Sequence, residues 1–464
     1  MNTSKDDSHS NNVRVVVRVR PLLPVEKRND LTTLLRTNTT ESHVTLRHVN
    51  KIRGTVTDKK FSFDGILDGT ASQQDTFAAL KVESLVKSVI QGYNATVFAY
   101  GQTGSGKTYT MEGYDYENST TINADKNARK RPMPNLSSIS QSPSKMGIVP
   151  RALSALFHEV EDERQRLDVS GSGANSSANS SANSSANSSA NSCVNSSAGS
   201  EILSIRCTFV QIYNEKVLDL LNDTGSTGPG LKLRWNQERG FYAENLYVVE
   251  VESVEDALRV FHTGLRGKVM ASHRMNAASS RSHCIFRVHV ERRKNSSAAK
   301  HDGNHGGTNT NEGHITSSSM CFVDLAGSEK ATQTGATGVT LNESIGINTS
   351  LQVLRRVITA LAQKKGEDEH GNAITTTVKQ HVPYRDSKLT SLLQHAIGGN
   401  SITVMVRKTV LMPPCKQASV HVHCVNTTVS LFSSALSCFV CVFFKSAFLV
   451  LGSWFGSGGL FVTL

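Results

Sequence analysis

The sequence predicts an α/β fold, with a central, mostly parallel or mixed β-sheet carrying helices on both faces. Three observations predict it. Strand-like and helix-like segments alternate from Val13 to about Val406, the pattern of a layered α/β protein. A β-branched run at Val13–Val19 opens that pattern, and Pro21 and Pro24 stop it. A short apolar strand over 96–100 then leads into a glycine-rich loop followed by a helical segment.

In chain order, residues 1–12 are polar, with neither the apolar stretch of a secretory signal nor the Arg-rich character of a transit peptide, and read as disordered. Residues 77–90 space their apolar side chains at helical intervals. An apolar strand over 320–323 precedes Asp324. A long helix is expected over 342–361, with Asn348, Leu351, Leu354 and Ile358 on one face. Residues 402–406 can form a last core strand, which bounds the main domain at 13–406. Three insertions, at 114–145, 170–200 and 295–319, are too rich in Asn, Ser, Gly, Lys and His to bury a core and read as disordered surface loops. The second contains an Asn-Ser-Ser-Ala repeat.

The chain's 464 residues accommodate one large domain with insertions as well as two or three average ones. Lys plus Arg exceed Asp plus Glu by 50 to 39, a mild basic excess that favours a polyanionic partner. The eight cysteines are scattered, with no repeated paired spacing of a zinc site, which suits a reducing cytosol.

Gly101-Gln102-Thr103-Gly104-Ser105-Gly106-Lys107-Thr108 matches G-x-x-x-x-G-K-[ST] in the confirming strand-to-helix context. This is a P-loop. Its backbone N–H groups turn inward around phosphate oxygens, Lys107 sets a point charge on the β and γ phosphates, and Thr108 offers its hydroxyl to Mg²⁺. The fold class is thereby narrowed to the P-loop NTPases.

Two further segments supply discrimination. Asn276-Ala277-Ala278-Ser279-Ser280-Arg281-Ser282-His283 gathers hydroxyls, a guanidinium and an imidazole into one stretch suited to sensing a γ-phosphate and its metal. Asp324-Leu325-Ala326-Gly327-Ser328-Glu329 follows an apolar strand, which is the Walker-B arrangement of a Mg²⁺-holding Asp. The guanine-selecting N-K-x-D of GTPases is not found.

Together the G-Q-T-G-S-G-K-T loop, the N-x-x-S-S-R-S-H segment and D-L-A-G-S-E resemble the kinesin motor domain. The resemblance covers about Val13 to Met405 outside the insertions. Arg18-Val19-Arg20-Pro21 looks like the family's adenine-side motif, residues 209–221 (FVQIYNEKVLDLL) its central strand and helix, and residues 381–389 (HVPYRDSKL) its microtubule-facing loop. The resemblance implies an ATP-hydrolysing, microtubule-stimulated motor of the cytoplasm and cytoskeleton, with ATP and Mg²⁺ as cofactors. It implies that Arg18, Pro21 and Tyr109 flank the adenine, that Ser279 and Ser280 reach Mg²⁺-bound water and the γ-phosphate, and that the Gly327 N–H contacts the γ-phosphate. Arg281 and Glu329 would form the ion pair that closes the two switches. Lys330, Arg385 and Lys388, with the long helix, would face the microtubule.

The sequence departs from the family at that surface. Positions usually basic there are Gln333, Ile345, Thr349 and Ser391, while Arg355 and Arg356 replace a Gly-Asn pair. From Arg407 the chain turns into a mostly apolar tail over 407–464 in which the family's last helix and neck linker are not recognisable. Two readings stand, a membrane anchor near 431–455 and a misread coding end; the second is favoured, because an anchor would have to replace part of the core. No coiled-coil heptads occur, and oligomeric state is unread. Against the motor reading stands a non-motile, nucleotide-gated microtubule binder. A nucleic-acid-stimulated P-loop ATPase would explain the basic charge but not the switch wording, so no nucleic-acid partner is expected.

Overall fold

The computed structural model describes residues 13–22, 35–50, 55–113, 143–172, 202–222, 230–237, 239–274, 281–294, 314–329, 339–363 and 381–409. Among them the strands are β1 (Val13–Val19), β2 (Leu35–Asn38), β3 (His43–Asn50), β4 (Thr55–Ser62), β5 (Gly65–Leu67), β6 (Asn94–Gly101), β7 (Ile202–Tyr213), β8 (Lys216–Asp219), β9 (Leu233–Asn236), β10 (Gly240–Ala243), β11 (Val249–Glu250), β12 (His283–Lys294), β13 (His314–Asp324) and β14 (Ser401–Thr409). The helices are α1 (Gln73–Ala79), α2 (Val82–Ile90), α3 (Lys107–Met111), α4 (Ile148–Ser172), α5 (Val254–Arg274), α6 (Val339–Gln363), α7 (Lys388–Leu392) and α8 (Gln394–Gly398).

The main sheet runs β11-β7-β12-β13-β6-β14-β1-β5, with β8 attached to β7. Strands β13, β6, β14, β1 and β5 pair in parallel, whereas β12, β7, β8 and β11 pair antiparallel, so the sheet is mixed as expected. Its centre is apolar on both faces because each face carries its own helices, which is why β6 reads as a near-continuous hydrophobic run and β1 is interrupted only by Arg14 and Arg18. Alternate residues divide between two cores. Val97 and Ala99 of β6 pack with α2, α4 and α5, while Phe98 and Tyr100 pack with α6, α7 and α8. Phe209, Phe261 and Phe286 interlock in the first core at centroid separations of 5.0 to 5.7 Å. The C-terminal ends of β6, β13, β14 and β1 meet at one edge, where ligands bind in open α/β sheets.

Several elements differ from the sequence-based expectation. Residues 209–221 form no helix: β7 and β8 make a hairpin through Asn214 and Glu215, whose φ angles of 47° and 56° fit a two-residue turn with both residues left-handed. The helix expected over 77–90 is two, because Lys81 enters the left-handed region at φ 54° between α1 and α2. The insertion expected over 295–319 is shorter on its C-terminal side, since β13 begins at His314. Its serines are held there: Ser318 Oγ donates to the Val89 carbonyl at 2.7 Å, and the Asn94 side-chain oxygen accepts from Ser319 N–H and Oγ–H at 2.9 Å each. Residues 143–145 of the first insertion form a 3₁₀ turn, and α4 reaches Ser172 into the second. The last strand continues past Val406 through Arg407 and Lys408 to Thr409. The rest of the tail, including its candidate membrane segment, lies outside the described residues, among which no helix is long and apolar enough to cross a membrane.

Candidate functional site

The P-loop leaves β6 at Gly101 and enters α3 at Lys107, so loop and strand are covalently continuous at the ligand-binding edge of the sheet. Gly106 supplies a left-handed cap at φ 88°, a conformation costly for any residue with a Cβ. The helix that follows has five residues, so free N–H groups more than an extended dipole would meet an anion. Lys107 is 7% exposed. Its ammonium crosses the loop and donates to the Gly101 and Gln102 carbonyls at 2.8 and 3.0 Å. Burial lowers its pKa, opposed by the charges of Asp324 and Glu329.

Asp324 ends β13, which pairs in parallel with β6 so that Asp324 lies opposite Ala99, just before the loop. The Thr108 hydroxyl donates to Asp324 Oδ2 at 2.8 Å, while Asp324 Oδ1 and the Ser105 hydroxyl are buried with no hydrogen-bond partner. A carboxylate with one orphaned oxygen beside a threonine hydroxyl is an all-oxygen donor set of the kind a hard divalent cation takes. The residues present fit Mg²⁺.

The second of the two expected switches, residues 324–329 (switch II), lies directly on the loop. The Leu325 and Ser328 N–H groups donate to the Ala99 and Gly101 carbonyls at 3.1 and 3.2 Å. The Glu329 carboxylate, expected to close onto Arg281, reaches Thr103: one oxygen accepts the Thr103 N–H at 2.8 Å and the other its hydroxyl. A Cβ on Gly327 would run into both the Thr103 hydroxyl and the Glu329 carboxylate. Ser279, Ser280 and Lys330 lie outside the described residues.

Beyond the serines, Ser282 Oγ accepts from Gln211 at 2.7 Å, and His283 bridges three elements. Its Nδ1 accepts the Ala326 N–H at 3.0 Å, and Nε2 lies 2.8 Å from Ser350 Oγ on α6. A backbone N–H can only donate, so Nδ1 is bare and the ring proton sits on Nε2, facing Ser350. Burial, reinforced by the Lys107 charge, lowers this pKa to about 3, which keeps the imidazole neutral. The end of the first switch, the start of the second and the long helix thus share one uncharged ring.

Tyr109, expected to flank the adenine, is 38% exposed. Arg18 lies behind it and not at the surface: it is 5% exposed, its guanidinium 5.8 Å from the Tyr109 centroid, and it donates to Gln73 at 2.7 Å, Thr110 at 3.1 Å and the Ala71 carbonyl at 3.3 Å. Gln73 in turn donates to the Tyr109 carbonyl at 2.7 Å. What Arg18 can offer a base is therefore the fixed position of Tyr109. Pro21 is exposed nearby.

Sequence reasoning missed Lys268. It is 5% exposed, with its ammonium 2.9 Å from Glu112 and 3.5 Å from Asp324 Oδ2. The available signal was its place in the apolar stripe of α5 after Ala257, Phe261 and Leu265, where a cation needs a buried partner.

At the second surface, Glu215 of the β7–β8 turn accepts from the Ser387 hydroxyl at 2.8 Å and the Lys388 N–H at 2.7 Å, anchoring the start of α7. Arg385 is exposed, its guanidinium 5.8 Å from the Phe241 ring centroid. Arg356 on α6 pairs with Asp386 at 2.9 Å. Ser391, expected at a surface position, is buried, its hydroxyl donating to the Tyr384 and Ser387 carbonyls at 3.0 and 2.9 Å.

The family described as kinesin motor domain matches residues 18–423. The chain is 33% identical over 394 residues to mouse Kinesin-like protein KIF12, covering 85% of this chain and 48% of the mouse protein. It is 31% identical over 396 residues to the Kinesin heavy chain of Syncephalastrum racemosum, covering 85% and 32%. It therefore spans half or less of these relatives' length. A solved structure described as a fast kinesin superposes with a TM-score of 0.60 at 28% identity, covering 86% of each chain. On the family match and the shared fold, the chain belongs to the kinesin motor domain family.

Proposed function

We propose that this chain is an ATP-driven microtubule motor domain of the cytoplasmic cytoskeleton. The observation that carries the reading is the Thr108 hydroxyl on Asp324, whose second oxygen is buried and unpartnered at the mouth of a P-loop. In this reading Gly101, Gln102, Thr103, Gly104, Ser105 and Gly106 wrap the phosphates with backbone N–H groups, and Lys107 exchanges its two carbonyl acceptors for phosphate oxygens. Thr108, Asp324 and Ser279 would hold Mg²⁺. When bound, that ion neutralises charge on the phosphoryl oxygens.

Ser280, Arg281, Gly327 and Glu329 carry the hydrolytic step. A water positioned by the switches attacks the γ-phosphorus, the bond to the β–γ bridging oxygen breaks, and the water's proton leaves through the serine and the Arg281–Glu329 pair. To form that pair, Glu329 must leave Thr103, so switch closure exchanges one partner of a carboxylate for another. His283 carries the change to α6 through Ser350. Lys330, Arg385 and Lys388 supply positive charge toward the acidic lattice.

Tyr109 stacks on the adenine. Tyr109→Ala is expected to weaken ATP binding about tenfold, since one aromatic stack on a base is worth about 1–3 kcal/mol, and to leave inorganic triphosphate binding unchanged. Competition titration with both ligands checks it.

A second reading, a nucleotide-gated microtubule binder that does not step, is favoured by the inward Ser391 and by the Arg356–Asp386 pair, which lowers the charge available beside Arg385 and Lys388. Steady-state ATPase with and without microtubules separates the two. The motor reading expects stimulation of about a hundredfold or more (~3 kcal/mol off the barrier); stimulation below about twofold would replace it with the second, and a response to nucleic acid alone would overturn both.

A further inference from the structure

We propose that Lys408 is a second phosphate-contacting lysine of this site, reaching the P-loop from the neighbouring strand at the end of the phosphate chain nearest the adenine. The inference rests on the reading of Gly101 through Thr108 as a nucleotide cradle.

Strand β14 lies between β6 and β1, and its register sets Lys408 opposite Gly101 on one side and opposite Arg18 on the other. Lys408 thus stands between the phosphate loop and the residue that braces Tyr109. Side chains alternate along a strand, so Lys408 shares the face of Val404 and Val406, which pack into the first core beneath the loop. Its Cε and Nζ lie 3.4 and 3.7 Å from where a Cβ on Gly106 would stand. The close fit continues at Gly101, where a Cβ would run into the Lys408 carbonyl.

The side chain is 4% exposed, and among the described residues no carboxylate pairs with it. The charges that act on it are cations, Arg18 and Arg20; with burial they lower its pKa to about 6. Burial and these two cations thus favour the neutral amine, and an arriving anion would draw it to its charged form. The anion this corner would receive is a nucleotide phosphate. Glu329 and Gly327 mark the opposite, γ-phosphate end at Thr103, so Lys408 serves di- and triphosphates alike and contributes to binding, not to the chemical step.

The test is equilibrium titration of the full chain with a fluorescent ADP and with a non-hydrolysable ATP analogue, for wild type, Lys408→Met and Lys408→Gln. Both variants should weaken both nucleotides about tenfold or more, as loss of a charge-assisted bond does. Thermal unfolding without nucleotide should show the Met variant at least as stable as wild type, and the Gln variant keeps the test open if Met does not fold. Unchanged affinity in a folded variant would overturn the role of Lys408 alone. A wild-type chain that bound neither nucleotide would overturn the cradle itself, and this inference with it.

Discussion

Lys107→Ala is expected to weaken nucleotide binding by at least about a hundredfold and to abolish ATP turnover. The ammonium is buried and, among the described residues, donates to two neutral carbonyls, those of Gly101 and Gln102. Burial presses toward its neutral form, and Asp324 and Glu329 hold it charged. A phosphate would give it a fully charged acceptor in a poorly solvated position, where such bonds are worth about 1.5–3 kcal/mol each. Alanine removes that partner and leaves the rest of the loop, whose turns are made by glycines. Calorimetric titration with ADP reads the loss, and circular dichroism checks that the sheet survives. Retained affinity would mean that the backbone of the loop binds phosphate unaided.

Acidification is expected to destabilise the protein steeply below about pH 6.5. His262, His283 and His289 have pKa values lowered to about 4, about 3 and about 3, in each case chiefly by burial. Their folded values lie below the unfolded one, so between about pH 3 and 6.5 the unfolded chain binds more protons than the folded chain. Their contribution is fully present above about pH 6.5 and is lost as the pH falls, at up to about 1.4 kcal/mol per pH unit for each ring. For His283 the loss is also local: a protonated Nδ1 cannot accept the Ala326 N–H, so the link from switch II to α6 breaks with the fold. Urea denaturation from pH 7.5 to 5 should show a falling midpoint, and His283→Gln should flatten the slope. A midpoint independent of pH over that range would contradict the burial of these rings.

The P-loop and Asp324 were legible because their chemistry tolerates few substitutes and their spacing is local. The role given to Tyr109 rests on the kinesin resemblance and not on the loop motif. The position of Arg18 was not legible, because its partners Gln73, Thr110 and Ala71 are brought to it by packing and carry no shared pattern. The β7–β8 hairpin was misjudged because its turn, Asn214-Glu215, lacks the glycine that usually announces two left-handed residues. The start of β13 was hidden by its polar residues, among them Ser318 and Ser319, whose hydrogen-bond partners Val89 and Asn94 lie some 225 residues away in sequence. Lys268 could have been suspected from the apolar stripe of its helix, whereas Lys408 looks like an ordinary surface lysine in sequence and only register and burial place it beside the loop. Ser279, Ser280 and Lys330 rest on the motif alone.

The most direct test is a calorimetric titration of the purified chain with a non-hydrolysable ATP analogue, in Mg²⁺ and then in excess EDTA, repeated for Asp324→Asn. One nucleotide should bind per chain, tighter by at least about tenfold with Mg²⁺ than without, and the Asn variant should lose that difference while still binding the nucleotide. Affinity equal with and without Mg²⁺, or no binding to the wild-type chain, would contradict the convergence of Lys107, Thr108 and Asp324 on one metal-bound triphosphate.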